Sequence, residues 1–195
     1  MPYVFVQRQY LDKLSDYQNH QGIIAISSPK ELIELEQLII KNQKEKNPMI
    51  LMLDEVQDPQ NLGAIIRIAD AFNINGIIIN KRRSVQLTST VAQVSTGAIN
   101  YVDICRVNNL RQAIKDLKKQ GYFFAFLDME GEQEVNQADY NLPLVVIIGG
   151  EDKGVTASIK KECDFGITIK QSGHVNSLNV ASATSILCYN KNISR

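Results

Sequence analysis

The chain has 195 residues, 44% of them hydrophobic, which suits one domain of ordinary size with a real core and a short extension. Its 21 basic and 21 acidic residues cancel, which argues mildly against a nucleic-acid partner unless the cations cluster locally. No apolar run is long enough for a membrane span, and three scattered cysteines with two histidines make neither a disulfide frame nor a metal cluster.

The N-terminus, MPYVFVQRQY, lacks a signal-peptide layout, so the chain is expected to be soluble, cytoplasmic and free of metal. Residues 1–28 are mixed and end in the apolar run Gly22–Ile26. Ser28-Pro29-Lys30-Glu31 then predicts a helix start, with Ser28 as N-cap, Pro29 in the first turn and Glu31 closing a capping box. Leu32, Leu35, Leu38 and Ile39 give that helix an apolar face. A polar linker, Lys41 to Pro48, follows and predicts a boundary: an N-terminal extension over 1–46 and the main domain over 47–195.

Beyond the linker, strand-like runs at Met49–Leu53, Gly76–Ile79, Tyr101–Cys105, Tyr122–Leu127, Leu144–Ile148 and Phe165–Ile169 alternate with helical patterns. The helices are expected at Leu62–Phe72, Leu110–Lys119, Ala157–Cys163 and Leu178–Tyr189. Continuous apolar strands between amphipathic helices predict an α/β fold, a mostly parallel sheet covered on both faces. In such sheets ligands sit beyond the carboxyl ends of the strands.

Three stretches carry polar groups at that edge: LDEVQDPQNLGAIIRIADAF (53–72), LVVIIGGEDKGV (144–155) and IKQSGHVNSLNVASA (169–183). In the first, Asn61 can cap a helix starting at Leu62. Arg67 lies off the buried stripe on a face of small residues, where it can reach an approaching group or simply pair with Asp70. In the second, Gly149-Gly150-Glu151-Asp152-Lys153-Gly154 fails the phosphate-loop pattern, since Val155 stands where a lysine is required. It reads equally as a strand-to-helix turn or as a place where backbone approaches a flat ligand. In the third, Ser177 can be a helix N-cap, but a Ser-x-Asn pair closing a long irregular loop is uncommon. Lys81-Arg82-Arg83 is the obvious basic cluster, either a solvated loop or a phosphate contact.

Taken together, in this order and spacing, the three stretches resemble the signature motifs of the SpoU (TrmH-like) branch of the SPOUT RNA methyltransferases over roughly residues 20–190. In motif wording they are closest to the large-subunit rRNA guanosine enzymes. The resemblance implies S-adenosylmethionine as cofactor, RNA as partner with ribosomal RNA preferred and transfer RNA as alternative, and methyl transfer to a ribose 2′-hydroxyl. It implies Asn61, Arg67, Glu151, Ser177 and Asn179 as the catalytic set, and Leu127, Gly149, Gly150, Ile169 and Leu178 around the cofactor. A C-terminal trefoil knot and a homodimer are implied as well. The chain departs from the family at Lys170 and Gln171, where proline and methionine are usual, and near Ala92 and Gln93, where basic residues are common. Readings from other classes are a dinucleotide oxidoreductase, against which stands the lack of an acidic residue after a Gly-rich first turn, and an inactive RNA-binding or dimerisation module.

Overall fold

Residues 2–17, 20–26, 28–151, 153–174 and 177–194 are described in the computed structural model. The chain divides into two compact units, Met1–Lys30 and Glu31–Arg195. The first holds helix α1 (Arg8–Leu14), and His20 Nε2 lies 3.0 Å from Asp12 Oδ1. The apolar residues 23–26 form no strand.

The second unit begins with a departure from the sequence expectation. Helix α2 spans Leu35–Asn42, and its capping box is Glu34 with Gln37, not Ser28 with Glu31. The preceding residues are held extended: the Ile33 N–H donates to the Ile104 carbonyl at 3.0 Å, and Ile33 bridges Cys105 in parallel. Pairing with an exposed sheet edge wins over the earlier cap, because that edge otherwise presents unpaired backbone groups. Leu38 is fully buried, and Asn42 Nδ2 donates to the Leu38 and Asn75 carbonyls at 3.0 and 3.2 Å. Helix α2, placed in the N-terminal extension on sequence grounds, is thus part of the second unit's packing.

The apolar runs become strands β1 (Met49–Asp54), β2 (Ile77–Asn80), β3 (Ile104–Val107) and β4 (Phe123–Leu127), β3 overlapping the expected Tyr101–Cys105 run only at Ile104 and Cys105. Then come the two-residue β5 (Gln133–Glu134), β6 (Leu144–Gly149) and β7 (Phe165–Thr168). They form one sheet in the order β3-β2-β1-β6-β4-β7-β5, with every strand pairing parallel. Residues of β1 and β6 are buried throughout, as central parallel strands covered on both faces must be.

Alternate side chains feed two cores. Met49, Leu51 and Leu53 face helices α3 (Pro59–Ala71), α4 (Ser89–Val94) and α7 (Val180–Ile193) through Ile65, Val91 and Leu187. Ile50 and Met52 face α2, α5 (Leu110–Lys119) and the short α6 (Ala157–Lys160) through Leu38, Ile114 and Ile159. The Leu110, Ala113, Ile114, Leu117 stripe of α5 is buried as its spacing predicts. Helix α4 was not foreseen; its apolar content is only Val91, Ala92 and Val94 in six residues, too little for a period. Its place is marked instead at Gly63 of α3, where an added Cβ would stand 2.7 Å from Val94 Cβ.

Candidate active site

Three connections leave the carboxyl ends of β1, β6 and β7 and meet. The β1–α3 connection starts at Asp54, the last residue of β1, whose carbonyl accepts from the Gly150 N–H and whose Oδ2 accepts from the Thr156 N–H, both at 2.9 Å. One buried residue therefore pins both ends of the 149–156 loop, one through its backbone carbonyl and the other through its carboxylate. Within that loop Gly154 N–H donates to the Gly150 carbonyl at 3.0 Å. An alanine Cβ at Gly149 would run into the backbone of Gly154 and Val155, and one at Gly150 into the Glu55 carbonyl. These glycines are required first by the chain's own close packing.

Asp58, not Asn61, caps α3, accepting from the Gln60 N–H at 3.0 Å. That frees Asn61, which is in the first turn and buried, for a side-chain chain of hydrogen bonds. Asn61 Nδ2 donates to Glu151 Oε1, and Asn179 Nδ2 donates to Asn61 Oδ1 at 2.9 Å. Asn179 Oδ1 accepts from the Ala181 and Ser182 N–H groups at 2.9 and 3.3 Å, so Asn179 is the N-cap of α7 and Ser177 is not. The orientations are forced from both ends. An ionised carboxylate only accepts and a backbone N–H only donates, so each amide has one satisfactory direction.

Beside this chain is a cavity of about 670 Å³ at the ends of β4, β6 and β7. All five residues expected around a cofactor, Leu127, Gly149, Gly150, Ile169 and Leu178, line it, and so do Glu151, Ser177 and Asn179. Asn61 is joined to it through hydrogen bonds. Arg67 is not among its lining. Six residues after Asn61 on a helix, it stands about 9 Å further along the axis and about 120° around it. It is exposed and makes no hydrogen bond or ion pair with a described residue, Asp70 included. Asp152, Val175 and Asn176, parts of the second and third motifs, lie outside the described residues.

Sequence reasoning missed a charged group in the same wall. Lys160 Nζ lies 3.0 Å from Asp128 Oδ2 and 2.7 Å from Glu130 Oε2, and 5.4 Å above the Phe126 ring. Burial pulls the Lys160 amine down, but the hydrogen bonds and charges of Glu130 and Asp128 outweigh it and hold the group above the usual lysine range. An acidic residue at the end of an apolar strand run, as Asp54 and Asp128 are, was the available signal. Of the two departures in the third motif, Gln171 lines the cavity, while Lys170 Nζ turns to Glu134 Oε1 at 3.5 Å.

Residues 48–189 match the model of the SpoU rRNA Methylase family. The chain belongs to this family. SpoU proteins are S-adenosylmethionine-dependent RNA methyltransferases. Over 187 residues the chain is 42% identical to YacO of Bacillus subtilis, assigned to the TrmH family of tRNA/rRNA methyltransferases, covering 95% of this chain and 74% of that protein. Among solved structures it is similar to a Porphyromonas gingivalis protein assigned to the TrmH family of RNA methyltransferases, at 31% identity and TM-score 0.70. That match covers 76% of this chain and 61% of the other. It shares its fold with the AdoMet-bound rRNA methyltransferase of Sinorhizobium meliloti, at TM-score 0.80 and 24% identity over 96% of this chain and 70% of that one.

The SpoU cofactor suits the donors present. The cavity volume lies within the range of roughly 300–1,000 Å³ typical of cofactor sites. Leu127, Ile148, Ile169 and Leu178 offer apolar surface for a flat base. The carboxylates of Asp128, Glu130 and Glu151 match a ligand that carries a sulfonium, an ammonium and a ribose diol. Membership in the SpoU family also removes the dinucleotide oxidoreductase reading.

Proposed function

We propose that this chain methylates a ribose 2′-hydroxyl of RNA, with ribosomal RNA as the favoured substrate and transfer RNA the alternative within the same chemistry. The observation that carries the reading is the Glu151–Asn61–Asn179 hydrogen-bond chain along the cavity. Bound S-adenosylmethionine supplies an electrophilic methyl group, and no metal is needed. The protein's task is to position one hydroxyl and to stabilise charge as its proton leaves.

In this reading Ser177 and Asn179 orient the hydroxyl at the cavity wall, while Glu151 fixes the direction of the Asn61 amide. Arg67 acts as a fixed cation for a phosphate and the developing alkoxide. Arginine stays protonated in proteins, so a literal base role is strained. Its exposure and its distance along α3 from Asn61 favour a site completed by a second protomer. The homodimer and the C-terminal knot implied by the resemblance belong to the same proposal, as does the assignment of residues 47–195 to the methyltransferase domain.

Methyl transfer from labelled cofactor to bulk ribosomal and transfer RNA tests the proposal. A ribose 2′-O-methyl blocks alkaline cleavage of its phosphodiester, so label is expected in alkali-resistant dinucleotides. Label released in mononucleotides would mean base methylation and would overturn the ribose assignment. No transfer to either RNA, with cofactor still bound, would favour the inactive binding module.

A further inference from the structure

The cluster Lys81-Arg82-Arg83 plays no part in the hydrogen-bond chain, yet the fold brings it to the same edge of the sheet. It directly follows β2, and the Lys81 N–H donates to the Val107 carbonyl at 2.8 Å, fixing the loop against the end of β3. The Val85 N–H donates to the Val56 carbonyl at 3.1 Å, hooking the same loop onto the β1–α3 connection. On its other side that connection touches the 149–154 loop, where the Glu55 carbonyl occupies the space a Gly150 Cβ would need. The basic loop, residues 55–56 and the Glu151 loop therefore lie side by side.

Two features set this loop apart from an ordinary solvated turn. Arg83 and Glu55 both have φ +61°, a left-handed conformation that non-glycine residues enter at a cost and that concentrates at functional sites. The same two residues form an ion pair, Arg83 Nη1 to Glu55 Oε1 at 3.1 Å, although the Arg83 side chain is 77% exposed. So exposed a pair contributes little stability, but it sets where the guanidinium stands. Arg106 Nη1 of β3 donates to Gln86 Oε1 at 3.0 Å, so a second guanidinium is tethered to the loop. Lys81 and Arg82 are exposed and make no ion pair with a described residue. In a chain of zero net charge, this leaves several cations on one ledge with Glu55 their single carboxylate partner among the described residues.

We propose that Lys81, Arg82, Arg83 and Arg106 form the RNA-backbone-binding edge of the active site, holding phosphates of the strand whose ribose enters the cavity. The inference rests on the methyltransferase reading above. A polyphosphate strand suits it because the ledge offers charge and planar guanidinium forks. Binding there carries no sequence information; it sets register along the strand.

The test is binding of the full chain to fluorescein-labelled polyuridylate across a KCl series, with cofactor affinity measured by calorimetry in parallel. Each lost phosphate contact on a single strand lowers the slope of log K against log salt by about 0.7, so Lys81→Ala/Arg82→Ala should reduce it by about 1.4. The same loss corresponds to about 25-fold weaker binding at 0.1 M salt. Lys44→Ala/Lys46→Ala removes equal charge at the opposite, amino-terminal end of β1 and should leave the slope unchanged. Both variants should bind cofactor like the wild type. Equal losses in the two variants, or no loss in the first, would overturn the assignment of this ledge while leaving the enzyme reading intact. A wild-type chain that binds cofactor but no RNA would overturn both.

Discussion

Replacing Asn61 with alanine cuts the hydrogen-bond chain at its middle, and the surroundings set the size of the effect. Glu151 and Asn179 are exposed, so each regains water when its partner goes, and no buried orphan remains. Asn179 also keeps its cap, because Oδ1 and not Nδ2 receives the Ala181 and Ser182 N–H groups. What is lost is one charge-assisted and one neutral bond, at the low end of their ranges, together about 2 kcal/mol. For a chain of this size that lowers Tm by about 4–8 °C. Glu151→Ala alone should cost about 1 kcal/mol, and the double variant little more than Asn61→Ala. The coupling energy is therefore expected near 1 kcal/mol in a urea-denaturation cycle. Additivity of the two within about 0.5 kcal/mol would mean that the Asn61–Glu151 bond does not hold in solution, and the forced amide orientation would fall with it.

Arg67→Ala and Arg67→Lys are each expected to lower methyl transfer by about two orders of magnitude, the effect of losing a preorganised cation, with cofactor affinity by calorimetry unchanged. Gly149→Ala pushes a methyl into the Gly154–Val155 backbone, so it should cost about 1–3 kcal/mol by urea denaturation and weaken cofactor binding. Burial is the leading cause that pushes Cys105, Cys163 and Cys188 from an ordinary 9.0 up to about 12, so their reaction with iodoacetamide at neutral pH should be slow until denaturant is added. The unfolded thiols ionise first, so stability from these groups is complete below pH 9 and lost as pH rises towards 12, seen as a falling urea midpoint over that window.

The sheet was legible because six of its strands lie on or overlap mostly apolar runs, and such runs separated by amphipathic helices leave little choice but a parallel sheet. The two-residue β5, Gln133–Glu134, was not legible, since it is polar and exists only by pairing with β7 at one edge. Helix α2 shows the opposite failure. Ser28-Pro29-Lys30-Glu31 has every local feature of a helix start, but the Ile33 backbone is paired with β3, a partner more than seventy residues away in sequence. Local capping rules carry no information about such a partner.

The caps at the candidate site follow the same logic. Asn61 and Ser177 were both candidates for N-caps, and the structure gives those positions to Asp58 and Asn179. Each shift is by two or three residues, within the ambiguity of any cap read from sequence. Its chemical consequence is large. As a cap, Asn61 would be spent on its own helix; one turn inside, its side chain is buried and must find partners from other segments. Glu151 and Asn179 supply them, one from each of the remaining motifs. The motif order read from sequence thus corresponds to one physical requirement, the satisfaction of a single buried amide by two loops that leave the parallel strands β6 and β7 on either side of β4. Arg67, exposed on α3, meets no such requirement within this chain, so its function is tested by methyl transfer and not by stability.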